Sequence, residues 1–214
     1  MKFRSELKLT ASPFQIDHGM SMVAVGSCFA DEIGKRLSEG RFNILVNPFG
    51  TIFNPYSIAK LISDEQFSPD LFVKRDETWC HFQIHSDLNH SDQKELWQQM
   101  TAQKKYTQEK LTNAEWLILT FGSAWVYRHV PTGEIAANCH KAPQHLFAKE
   151  LLNLEELKNQ YSDLIKELHR NNSNLKILLT VSPVKYLKDG MHENNLSKSV
   201  LLLLSDFLAR SFNH

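Results

Sequence analysis

The 214-residue sequence has little cysteine: only Cys28, Cys80 and Cys139, widely spaced and with no CxxC pair. Neither a disulfide framework nor a zinc site built on paired thiols is expected, and a reducing, cytoplasmic compartment fits. Charge of one sign is also missing, because 24 Lys and Arg balance 24 Asp and Glu. No net field draws the chain to nucleic acid or to an anionic membrane, so neither is expected as a partner. Long apolar runs are absent too. Val200–Leu204 is the longest near the C-terminus, far short of the roughly 20 residues that span a bilayer. Met1–Thr10 alternates charged and apolar residues without the continuous apolar core of a signal peptide. There is no GxGxxG, no P-loop lysine and no HExxH, which removes the footing for dinucleotide, nucleoside triphosphate and zincin chemistry. His81, His85 and His90 lack a suitably spaced carboxylate or thiol, so they are expected as surface histidines. No metal and no cofactor is expected.

What is present is an alternation of apolar runs and amphipathic stretches, in a composition of 42% hydrophobic and 22% charged residues that suits one α/β domain. Met22–Val25 is small and β-branched, as a strand buried on both faces would be, and it runs through Gly26-Ser27 into Phe29, Ile33 and Leu37 at helical spacing. Ser27 thus falls at the carboxyl end of a strand and in the first turn of a helix. Unpaired N–H groups and the helix dipole favour an anion there, which suits a nucleophile facing open solvent. The plainer alternative is that Ser27 only caps the helix.

Further along, Phe42–Val46 reads as a second strand and Asn54-Pro55 as a helix start. Leu71–Lys74 and Thr78–Phe82 read as a hairpin, followed by a helix from about Asp92 to Leu111 with Leu96, Trp97, Met100 and Tyr106 on its apolar side. Glu115–Thr120 is a buried strand ending in Phe121-Gly122-Ser123, and Trp125–Val130 pairs with Glu134–Ala137 to deliver Asn138-Cys139-His140-Lys141. Those four polar groups either line a site or make a solvated turn. Asn153 begins a helix to about Arg170, Lys176–Val181 is the last strand, and a loop through Asp189-Gly190-Met191-His192 leads to a helix from Asn194. Strands joined by helical crossovers make a parallel sheet, and its sites lie beyond the strands' carboxyl ends. An Asp three residues ahead of a His at such an end suits a general base and the carboxylate that orients it.

Gly26-Ser27-Cys28-Phe29-Ala30 resembles the string that names the GSCFA family, relatives of the SGNH/GDSL-like hydrolases. The likeness continues through Asn47–Thr51, Thr120–Trp125, Asn138–Lys141, Thr180–Val184 and Asn194–Lys198. It implies a flavodoxin-like three-layer α/β/α sandwich with a mostly parallel sheet and inserted hairpins, in a single domain over residues 1–214. It also implies a serine esterase or O-acyltransferase-like activity on a small-molecule or glycan ester. In the SGNH scheme Ser27 is the nucleophile, the Ser27 and Gly50 amides serve the oxyanion, and an Asn normally follows the glycine of the Gly122-Ser123-Ala124 block. That Asn is missing here, and Asn138 is the candidate to replace it. The base is assigned to His192 with Asp189, to His140, which is also a candidate to contact the substrate, or to a group that is missing from this chain or supplied from outside it. Members of the family look longer and carry an acidic-plus-His block beyond the last helix, so the domain is expected to lack its C-terminal end. The rival readings are Cys28 as nucleophile and a binding module that keeps the pocket without the base. The oligomeric state is left open.

Overall fold

The computed structural model describes residues 11–212. The N-terminal ten residues, and with them part of the expected extended arm, lie outside the described residues. Parallel strands β1 (Ser21–Gly26), β2 (Asn43–Val46), β5 (Trp116–Phe121) and β9 (Lys176–Val181) form the central sheet in the order β2-β1-β5-β9. Side chains alternate across it. Val23, Val25, Leu117, Leu119 and Phe121 enter the larger core, whereas Met22, Ala24, Trp116 and Ile118 pack on the other face with Ile16, Leu37 and Phe42. Because successive residues of a strand point to opposite sides, both faces of β1 and β5 must be covered. Helix α1 (Cys28–Glu39) covers one face through Leu37. Helices α2 (Pro55–Ile62), α3 (Gln93–Asn113), α4 (Leu154–Asn171) and α5 (Met191–Ser211) supply Ile58, Leu96, Leu164 and Leu201 to the other. This is a three-layer α/β/α sandwich.

Local chemistry sets the helix starts. Asn54 accepts the Ser57 amide at 2.8 Å ahead of Pro55, Asp92 accepts the Glu95 amide at 3.0 Å, and Asn153 accepts the amides of Glu155 and Glu156. Two smaller sheets flank the core: the hairpin β3 (Phe72–Arg75) and β4 (Thr78–His81), and an antiparallel trio in which β6 (Trp125–His129) lies between β7 (Ile135–Ala136) and β8 (Phe147–Leu151).

Three expectations need correction, and one strand was not anticipated. His81 is not a surface residue but is fully buried. Its ring Nε2 donates to the Ser68 carbonyl and its Nδ1 accepts the Gln83 amide, which makes burial affordable for a polar ring. Tyr106 is 45% exposed, because the buried stripe of α3 is Leu96, Met100, Lys104, Thr107 and Leu111. Helix α5 begins at Met191, so His192 sits inside its first turn rather than in the preceding loop. Strand β8 has no counterpart in the sequence reading.

Candidate functional site

Strand order reverses at β1, whose sheet neighbours β2 and β5 lie on opposite sides of it. The carboxyl ends of β1 and β5 therefore border the topological switch point where open α/β sheets form their crevice. Ser27 follows β1 there, and Gly122 follows β5.

The β1–α1 turn depends on close backbone approach. Gly26 has φ +153°, and a Cβ on it would lie 2.2 Å from the Thr120 carbonyl oxygen, which only glycine permits. The Ser27 amide donates to that same Thr120 carbonyl at 3.0 Å, and the Ser27 carbonyl accepts the Ala30 amide at 2.7 Å, opening α1. The Ser27 side chain makes no capping bond. Its Oγ is buried without any hydrogen-bond partner, and the residue is 0% exposed. The plain capping role is thus not the one this serine plays. The expectation that its hydroxyl faces open solvent is also overturned: the residue is fully buried, and Gly122 packs against it, the space a Cβ of Gly122 would occupy lying 3.1 Å from Ser27 Cβ and 2.9 Å from Phe53 Cδ1. Neighbouring Cys28 is exposed, as expected when consecutive helical residues point apart.

The anticipated oxyanion donors are occupied in this conformation. The Ser27 amide is spent on Thr120, and the Gly50 amide donates to the Asn47 carbonyl at 2.8 Å in a tight turn where Gly50 has φ +74°. His85 packs directly on Gly50, its Cβ 2.3 Å from where a Cβ there would stand. Asn138 Oδ1 accepts the His140 amide at 2.8 Å, and the Asn138 amide donates to the Phe82 carbonyl. His140 Nε2 donates to the His81 carbonyl at 2.9 Å, and Arg75 donates to the His140 carbonyl. These bonds tie Asn138 and His140 to the β3–β4 hairpin, and neither reaches Ser27. His140 Nδ1 is buried and unpartnered, and burial pulls its imidazole below the ordinary range. His192 is exposed on α5, and the carboxylate of Asp189 lies outside the described side chains.

Two groups of residues around Ser27 escaped the sequence reading. On one side Asn47 Oδ1 accepts the Gly26 amide at 2.7 Å, while the Asp31 carboxylate accepts both the Asn47 side-chain amide and the Thr51 hydroxyl. On the other, Lys198 Nζ donates to the carbonyls of Gly122 at 2.7 Å and Ser182 at 2.8 Å. Burial lowers its pKa, partly countered by Cys28. Burial and the adjacent Cys28 thiol push the Tyr186 phenol up. The signal for both groups was the polar content of Asn47–Thr51 and Asn194–Lys198. Among the described residues no cluster of three or more His, Cys, Asp or Glu could hold a metal ion, and no helix is long and apolar enough to cross a membrane.

Fold and site together define an α/β protein whose central parallel sheet carries a buried, unpartnered serine at its switch point. Residues 21–214 match the GSCFA family, and the chain belongs to it. No curated protein and no solved structure matches it.

Proposed function

We propose that the chain is a serine hydrolase of the SGNH/GDSL type, an esterase or O-acyltransferase-like enzyme acting on an acylated, carbohydrate-like substrate through Ser27. The observation that carries this reading is the Ser27 hydroxyl itself. A buried hydroxyl without a partner costs about 1–3 kcal/mol relative to a satisfied one, and this one neither caps α1 nor bonds elsewhere. Such a cost is understandable where the oxygen serves chemistry. In that chemistry Ser27 Oγ attacks the ester carbonyl and gives its proton to a base, the substrate alcohol leaves, and water or an acceptor hydroxyl then takes the acyl group. His192, at the carboxyl end of the sheet, is the candidate base on this chain. It must come to Ser27, since nothing bonds the hydroxyl in this conformation.

The same missing bond, with the Ser27 and Gly50 amides committed, favours a second reading: a non-catalytic module that binds a small-molecule or glycan ester. A fluorophosphonate probe separates the two. Covalent labelling that Ser27→Ala abolishes supports the hydrolase, with His192→Ala slowing ester turnover on the order of a hundredfold or more. Well-folded chain that binds an ester but takes no label supports the module.

A further inference from the structure

We propose that Lys198 is a positioning residue that holds the segments following β5 and β9 shut over Ser27, so that access to the serine is set from helix α5. The inference rests on Ser27 being the functional centre, as argued above.

The contacts close a ring. The Lys198 ammonium spans the Gly122 and Ser182 carbonyls, one just beyond β5 and the other just beyond β9. It lies 5.3 Å from the centre of the Tyr186 ring, a cation over an aromatic face. Tyr186 meets Phe53 edge to face at 5.7 Å, and the Phe53 carbonyl accepts the amides of Gly122 at 2.8 Å and Ser123 at 3.0 Å. Gly122 lies against Ser27, and Phe53 packs on Gly122. The rest of the α5 N-terminal half holds the same segments: Ser197 Oγ accepts the Ala124 amide at 2.8 Å, and Asn194 Oδ1 accepts the Tyr186 amide at 3.0 Å. Lys198 is the member that touches both segments at once. Two charge-assisted bonds to carbonyls that have no strand partner stabilise the closed arrangement, and removing the ammonium leaves both carbonyls to water or to nothing. The covered, unpartnered Ser27 Oγ is then the closed state of a site whose open state exposes it.

The test reads access at position 27 without requiring ester chemistry. In a Cys28→Ser, Cys139→Ser background, Ser27→Cys introduces a thiol whose alkylation by iodoacetamide is timed with Lys198 intact, as Lys198→Arg and as Lys198→Met. Alkylation slow with Lys198, faster on the order of tenfold in Lys198→Met and largely restored to slow in Lys198→Arg is the expected result. Equal rates in all three, or alkylation already as fast as at an exposed thiol with Lys198 present, overturns the proposal. Should the Ser27→Cys chain fail to fold, hydrogen exchange on the otherwise unaltered protein decides. Lys198→Met is expected to speed exchange of the Gly122 and Ser123 amides while leaving Val25 and Leu119 unchanged; uniform acceleration means that Lys198 is only a stability contact. If access follows Lys198 but Ser27 takes no fluorophosphonate even in Lys198→Met, the closure stands and the hydrolase reading falls.

Discussion

Asn47 accepts the Gly26 amide on its side-chain oxygen at 2.7 Å and thereby pins the end of β1 to the turn that follows β2. The residue is buried at φ +39°, a region that asparagine tolerates better than most residues. Its other side-chain atom donates to Asp31, so one amide group positions both the strand before Ser27 and the helix after it.

Asn47→Ala is expected to destabilise the fold by about 2–3 kcal/mol, since it strands the buried Gly26 N–H and removes one donor from Asp31. Urea denaturation measures this. Asn47→Asp keeps an acceptor for Gly26 but sets a second carboxylate against Asp31, so its penalty should shrink as the pH drops through the carboxylate range. A penalty independent of pH would show that the two side chains do not face each other.

Ser27→Ala should be neutral or stabilising by up to about 1 kcal/mol, because the hydroxyl it deletes has no partner to lose. Thermal and urea unfolding of the variant against the parent give the answer. A loss of more than about 1 kcal/mol would mean that the hydroxyl is a structural group after all.

Acid should weaken the fold through His81. Burial lowers this imidazole from its ordinary 6.5 to about 4, with the Ser68 carbonyl opposing and His140 adding to the shift. Its folded-state pKa lies below its unfolded one, so the unfolded chain takes up the proton first as pH falls. The stability contributed by neutral His81 is complete above about pH 6.5 and is lost on the way down to about pH 4, amounting to roughly 3 kcal/mol. The lowered pKa of His140 acts in the same direction. Unfolding free energies at pH 7, 5.5 and 4.5 should fall more steeply for the parent than for His81→Gln, and superimposable curves would rule this out.

The readings that matched the structure rest on neighbours in sequence. Lys176–Val181 is the observed β9, and Asn54 and Asn153 each cap the helix that follows, because a strand's apolar run and a cap's short polar side chain act within a few residues. Strand β8 escaped because Ala148, Lys149 and Glu150 carry little strand propensity, and its pairing with β6 decides the matter. Leu96 and Met100 lie on the buried stripe of α3 as expected, whereas the place expected of Tyr106 goes to Lys104, which reads as polar. Its stem is buried, and its ammonium donates to the Lys60 carbonyl near the end of α2.

Composition, periodicity and capping chemistry were enough to establish the α/β class, the parallel core strands and a serine at the turn after the first of them, since each of these is written in residues that act on their near neighbours. Only the tertiary structure decided that this serine is covered, that the Ser27 and Gly50 amides are already committed, and that Lys198 reaches Gly122, a carbonyl 76 residues away. Such contacts arise from how separate segments pack beyond the sheet, and no local pattern in the chain encodes which of them will meet.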